Sequence, residues 1–204
     1  MTQRTLVVIT AGLSQPSSTR LLADRLSAAA VAAAADLGVR LDTRVFELRG
    51  LAHEVTDHML TGFPPAALRD ALAAVAGADA LIAVTPVFNA SYSGLFKSFF
   101  DVLDPDALRD KPVLLAATGG TARHSLALEH ALRPMFAHLR AVTVPTSVFA
   151  ASEDWGGNEA DGHLRGRVDR AASELARELG RRDPVTVADP FALTTSFEDL
   201  LSRG

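Results

Sequence analysis

Three short stretches of this 204-residue chain combine side chains that suit a bound ligand. The first, AGLSQPSSTR at Ala11–Arg20, carries Ser14, Ser17, Ser18 and Thr19, whose hydroxyls can donate to phosphate oxygens. The second, Pro86–Ser93, offers Phe88 and Tyr92 as apolar surface for a flat ring, with Asn89 and Ser91 able to reach a polar edge. The third, Thr118-Gly119-Gly120-Thr121, lets backbone come close to a ligand, since glycine has no Cβ. Each has a plainer use as well. Ser17 or Ser18 can simply cap a helix, the aromatics can complete a core, and Gly119-Gly120 can be an ordinary turn.

Other chemistries are poorly represented. There is no cysteine, so disulfides, thiolate nucleophiles and cysteine-bound metal clusters are excluded. Any redox chemistry then falls to a bound cofactor. The six histidines show no metal spacing: His53 and His58 are five apart, His124 and His130 six, with no HExxH. Ser125 lies outside any GxSxG. The first loop lacks the GKS/GKT of a triphosphate loop and the GxGxxG of a dinucleotide fold, so a terminal monophosphate suits it best. A formal net charge of −4 gives no electrostatic reason to expect nucleic acid or an anionic membrane as partner. No apolar stretch reaches the ~18 residues of a membrane span, and no secretory signal is seen, so the expected location is cytoplasmic.

The elements that carry these loops follow from hydrophobic period. Arg4–Thr10, Ala80–Val84 and Lys111–Thr118 are short continuous apolar runs, expected as buried strands. Val39–Phe46 alternates apolar and polar and is expected at an edge. Ala141–Val148 contains Pro145, which also assigns it to an edge. Thr85-Pro86 is expected to end the third strand, because proline cannot donate to a ladder. Between the strands, helical spacing is read after Arg20 as far as Leu37, at Ala66–Val75, Leu95–Leu103 and His124–Leu139 (kinked at Pro134), and at Leu164–Leu179. Leu48–Gly62 and the Gly-rich, acidic Ala151–Gly162 show no period.

Strands alternating with helices specify a parallel, doubly wound α/β sheet with right-handed crossovers. With the two edge candidates outermost, five strands take the order 2-1-3-4-5, a flavodoxin-like three-layer sandwich whose crevice lies beyond strands 1 and 3. All three loops then leave the same rim. One ligand with a phosphate tail and a flat polar ring touches all of them, and FMN has that shape.

At this point the chain resembles the NADPH-dependent FMN reductases of flavodoxin-like fold, particularly actinobacterial FMN reductases thought to partner luciferase-like monooxygenases. The resemblance runs from about Thr5 to about Leu179 and is carried by GLSQPSSTR (Gly12–Arg20), TPVFNASYSGLFKSFFD (Thr85–Asp101) and ATGGTARHSLALEHALRPMF (Ala117–Phe136). It implies that Ser14, Ser17 and Thr19, with Ser18 beside them, hold the FMN phosphate. Pro86, Val87, Phe88 and Asn89 would then lie along the isoalloxazine, and Gly119, Gly120 and Thr121 at its pyrimidine side. It implies a flavoprotein oxidoreductase that passes hydride from NAD(P)H to FMN, with no catalytic side chain required. Arg123 and His124 are candidates to meet a nicotinamide nucleotide phosphate, or are merely surface. A homodimer or homotetramer is expected, with Lys97 and Asp101 as inter-subunit ion-pair residues or as a plain i,i+4 pair. Residues 1–182 are expected to form the FMN reductase domain and 183–204 a tail with apolar anchors at Phe191, Phe197, Leu200 and Leu201. Two alternatives stay open: a quinone or azo-dye reductase that retains its FMN, and a non-enzymatic flavodoxin-type electron carrier. A carrier would be expected to be more acidic and richer in aromatics than the 6% found.

Overall fold

The computed structural model describes residues 2–156 and 158–185. Apolar runs form the inner strands of one parallel sheet: β1 (Thr2–Thr10), β3 (Ala80–Phe88) and β5 (Pro112–Gly119), with β2 (Val39–Glu47) outside β1. The register sets Leu6 beside both Thr43 and Ala80, and Leu81 beside Val113. Beyond β5 the edge is occupied by two pieces, β6 (Val142–Thr143) and β7 (Val148–Ala151), both parallel to it. Counted by position, the order is 2-1-3-4-5 as expected. The fifth strand is divided where Val144-Pro145-Thr146-Ser147 leaves the ladder, and its second piece ends three residues later than expected.

Period 2 in the strands separates two cores. Val7, Ile9, Leu81, Ala83, Val113 and Leu115 face α3 (Ala66–Gly77), α4 (Gly94–Asp101) and α5 (Arg133–His138), together with α2 (Ala52–Thr61). Leu6, Val8, Ile82, Val84, Leu114 and Ala116 face α1 (Ser18–Asp36) and α6 (Asn158–Gly180). The aromatics of α4 are core: Phe96 and Phe99 are fully buried, and the Phe100 ring lies 4.9 Å from that of Phe136. None of the described helices is long and apolar enough to cross a membrane.

Several expectations are corrected. Leu48–Gly62 is not irregular: a 3-10 turn at Leu48–Leu51 leads into α2, closed by Gly62 at φ +77°. Only Val55 of α2 is buried, too little to impose a readable period. Ala151–Gly162 is likewise partly helical, a 3-10 turn at Ser152–Trp155 followed by the start of α6. His124–Leu139 is three pieces: a 3-10 turn at Ala122–His124, a π-turn at Leu128–Leu132 and then α5, whose second residue is Pro134. Wide turns ahead of a proline absorb its missing donor and ring. β3 does not stop at Thr85; it runs through Pro86 to Phe88 and reverses into a short antiparallel β4 (Ser91–Tyr92). The reason lies in the ladder. Val84 accepts from Ala11 N–H, the last bond on the β1 side, so Pro86, two residues on, faces the same side beyond the end of β1, and the N–H that proline lacks is not missed there.

At the opposite rim, Asp79 ties the N-terminal ends of β1 and β3 together. Its carboxylate accepts from Thr5 N (2.7 Å), Thr5 Oγ1 (3.0 Å), Arg4 Nη1 (3.2 Å) and Val185 N (2.9 Å). Through Val185 it also fastens the start of the tail; the anchors proposed at 191–201 lie outside the described residues. Burial pushes the Asp79 carboxyl up, but the N–H groups of Thr5 and Val185, the Thr5 hydroxyl and Arg4 more than offset it and hold it below its ordinary value. Nearby, buried Lys111 donates to the Ala76 carbonyl at the end of α3 (2.8 Å), and burial brings its ammonium down to about 8, opposed by the charge of Asp79.

Because the Asp79 pKa is lower folded than unfolded, its contribution is full above the ordinary value of 3.8 and is lost as pH falls through the folded value. Asp79→Asn is expected to cost about 2 kcal/mol at pH 7. In urea unfolding of both proteins the gap should hold down to about pH 5 and close below about pH 4.

Candidate functional site

The three loops meet. Leu13, Ser14, Ser18 and Thr19 from the first, Pro86, Val87 and Phe88 from the second, and Thr118, Gly119 and Gly120 from the third line one cleft of about 420 Å³. Ser152 and Trp155, from the turn after β7, complete it.

Each wall has a local cause. The first loop folds tightly because Gly12 has no side chain: a Cβ there would lie 2.0 Å from Ser17 Oγ. Ser17 is spent as the N-cap of α1, its Oγ accepting from Arg20 N at 3.2 Å, and is not among the lining residues. Ser14 and Ser18 are exposed at the α1 N-terminus, where unpaired N–H groups and the helix dipole favour an anion. Thr19 is buried and shares a 2.8 Å hydroxyl–hydroxyl bond with Thr118, which fastens the first loop to the end of β5. Below them, Thr10 keeps a buried hydroxyl with no hydrogen-bond partner, on the strand face that Leu6 and Val8 turn toward α1.

The second wall is a hairpin rather than an open loop. Val87 pairs with Tyr92 and Phe88 with Ser91, leaving Asn89 (φ +49°) and Ala90 (φ +68°) as the two turn residues. Two positive φ values belong to the type I′ turn that matches strand twist. Asn tolerates this, whereas an alanine there is strained by about 1 kcal/mol. Thr85 Oγ1 accepts from Ser93 N at 3.1 Å, and Ser93 in turn caps α4 through Phe96 N. Phe88 remains 46% exposed and lines the cleft; Asn89, at the tip, does not. Thr121 also lies off the lining, as N-cap of the following 3-10 turn.

The third wall is set by packing. A Cβ on Gly119 would lie 2.8 Å from Phe149 Cζ, so the ring of Phe149 occupies the space a larger residue needs. Asp154 holds the Ser152–Trp155 turn, accepting from Ala151 N and from Arg167 Nη2, both at 2.8 Å. The Arg25 guanidinium lies 5.0 Å from the Trp155 ring centroid.

None of the lining residues is an acid, a base or a charged group. The cleft has hydroxyls and a helix terminus at one end, apolar and aromatic faces along its length, and bare glycine backbone opposite. It can hold a phosphorylated planar molecule without offering it a proton-transfer group.

A family model described as NADPH-dependent FMN reductase matches residues 4–156. The chain belongs to this family. It is 38% identical over 179 residues to an FMN reductase (NADPH) of Pseudomonas aeruginosa, covering 86% of this chain and 92% of that one. It is 37% identical over 177 residues to the NADH-dependent FMN reductase SfnF of Pseudomonas fluorescens, covering 85% and 91%. Among solved structures, an oxidoreductase of Corynebacterium diphtheriae is 48% identical, with a TM-score of 0.86 over 90% of this chain and all of that one.

For this FMN reductase family member, Leu13, Ser152 and Trp155 are lining residues that the sequence reading does not name. Thr118 belongs to the third stretch for its backbone, not for its hydroxyl, and Trp155 arrives from a distant loop with no local signal. Lys97 and Asp101 form the intrahelical i,i+4 pair on α4.

The contact between Gly12 and Ser17 gives a test of the first loop. Gly12→Ala and Ser17→Ala should each cost about 1 kcal/mol, the second by loss of the cap and the first by displacing it. In a thermal-melt double-mutant cycle, Gly12→Ala should cost less once Ser17 is alanine, because the closest clash is gone.

Proposed function

We propose that this cleft binds FMN and that the protein is an NAD(P)H-dependent FMN reductase that acts in the cytoplasm. The observation that carries the reading is the convergence of a hydroxyl-bearing helix N-terminus, the Pro86–Phe88 wall and the Gly119-Gly120 backbone on one cleft. The residues present fit the group. Gly12 permits close approach of the first loop, the Thr10 hydroxyl is buried without a partner, and no acid repels a phosphate.

In this arrangement Ser14 and Ser18 donate hydroxyls to the phosphate, and the α1 N-terminus adds its partial positive charge. Thr19, bonded to Thr118, keeps the loop in place. Pro86, Val87 and Phe88 give the ring an apolar surface, and Gly119 and Gly120 bring backbone against its polar edge. When bound there, FMN would supply the hydride-accepting chemistry toward reduced nicotinamide. The protein's own part is placement: it excludes water from one side, leaves the other accessible and holds the two reactants together. No side-chain acid or base is needed, in keeping with a lining that has none. Asn89, Ser17 and Thr121 support the walls from behind in this reading.

We also propose that the chain forms a homodimer or homotetramer and that reduced FMN passes to a separate monooxygenase. The resemblance to reductases that serve such enzymes supports both. Light scattering at micromolar concentration should give two or four chain masses; a monomer would remove the assembly.

The protein has a single tryptophan, Trp155, and it lines the cleft. Titration with FMN is therefore expected to quench its emission saturably, and Ser18→Ala to weaken that binding about tenfold. NADPH or NADH should be consumed when FMN is present. Absence of both quenching and consumption would overturn the assignment. Turnover of quinones by protein that retains its FMN, with no use of free FMN, would favour the quinone-reductase alternative.

A further inference from the structure

A second cleft, of about 320 Å³, adjoins the FMN cleft beyond the hairpin tip. Its apolar lining is small: Ala90, Leu126, Ala127 and Ala131; its polar lining is Arg123, His124 and His130. The two clefts share a boundary at two points. Ala90 follows Phe88 by two residues in the hairpin, and the Cβ of His124 stands 3.7 Å from where a Cβ on Gly119 would be.

The charge of this cleft distinguishes it from its neighbours. It is lined by no carboxylate. Arg123 and His124 make no side-chain hydrogen bond or ion pair among the described residues. Glu129, which precedes His130 in the sequence, is already committed to Arg133 and Ser147. By contrast, the cleft lined by Phe149, which shares Leu126 with this one, carries Glu129, Glu153 and Asp154, and its one arginine, Arg167, is paired with Asp154. An anionic group leaving the FMN cleft therefore meets carboxylates at one neighbouring cleft and the unpaired Arg123 guanidinium at the other.

We propose that this cleft receives the adenosine end of the hydride donor and that Arg123 is the residue that distinguishes NADPH from NADH. The inference rests on the FMN-reductase reading above. A nicotinamide stacked over the flavin must send the rest of its dinucleotide out of the first cleft. The second offers an apolar patch of base-sized chemistry (Ala90, Leu126, Ala127, Ala131) beside a guanidinium. Only NADPH has a 2′-phosphate, and guanidinium matches phosphate geometry with two parallel N–H donors. The pyrophosphate and nicotinamide are common to both donors, so a group that reads only the 2′-phosphate changes the preference and not the chemistry.

The test compares wild type with Arg123→Gln, and with Arg177→Gln as a control at an exposed arginine on α6. Wild type should favour NADPH. The ratio of kcat/KM for NADPH to that for NADH should fall about tenfold in Arg123→Gln, the loss falling in KM for NADPH, and should stay as in wild type in Arg177→Gln. Binding of adenosine 2′,5′-bisphosphate by calorimetry, which needs no turnover, should weaken by the same factor in Arg123→Gln, while binding of 5′-AMP weakens less than twofold. A wild type that prefers NADH, or an Arg123→Gln variant with an unaltered ratio and unaltered bisphosphate binding, overturns the proposal and leaves FMN reduction standing. Absence of any NAD(P)H consumption with FMN would instead remove the function on which it rests.

Discussion

The sheet ends in a step, and the cleft is that step. The last rung between β1 and β3 joins Thr10 to Val84, while β3 continues to Phe88 beside β5 as far as Pro86↔Thr118. Four residues of β3 therefore stand beyond β1; β4 pairs with Val87 and Phe88, and Thr85-Pro86 has no strand on the side where β1 has ended. A strand edge left bare in the interior would strand its polar groups. Here Pro86 has no N–H to strand, and Thr85 turns its hydroxyl to its own neighbours, Pro86 O and Ser93 N. The bare edge at Thr85-Pro86 is thus chemically quiet on its backbone side and can be covered by something other than a strand.

Most of the architecture was legible because hydrophobic period is set by burial, and burial here is near-complete in β1, β3 and β5. The alternation of β2 identified an edge for the same reason. Where burial is thin the pattern fails: α2 buries one side chain, Val55, and reads as irregular. Proline was over-read at position 86 and rightly read at 145. The rule concerns a lost donor, and the loss matters only where a neighbouring strand waits to accept. The three loops were recognisable by residue type, and Ser14, Ser18, Thr19, Pro86, Val87, Phe88, Gly119 and Gly120 do line one cleft. Ser17 shows the limit of that reading. Its hydroxyl suits a phosphate and a cap equally, and only the geometry of Gly12 and Arg20 shows the cap. Trp155 was out of reach, since its position depends on Asp154 and Arg167, which are 13 residues apart in sequence.

Polar interactions are divided between the two rims. At the N-terminal rim, Asp79 gathers Arg4, Thr5 and Val185 into a network that joins β1, β3 and the start of the tail, with only Arg4 Nε left unpaired in it. At the C-terminal rim, hydroxyls are left exposed or, at Thr10, buried without a partner. Between the rims lie two apolar cores that keep the strands in register. Stability is concentrated at one end and unspent hydrogen-bonding capacity at the other, so substitutions around the cleft can alter binding while the Asp79 network stays whole.

The two outer borders of the sheet differ in construction. Beyond β5, the break at Val144–Ser147 leaves fragments of two and four residues, too short and too interrupted to template a foreign strand. Along β2 the chain is nine residues long, but Arg40, Asp42 and Arg44 recur at every second position. A stacked copy in register would bring like charges together. Neither margin offers a clean ladder to extend, so crowded or partly unfolded copies are steered away from fibrous stacking, and the protein's solubility is protected at both flanks by different means.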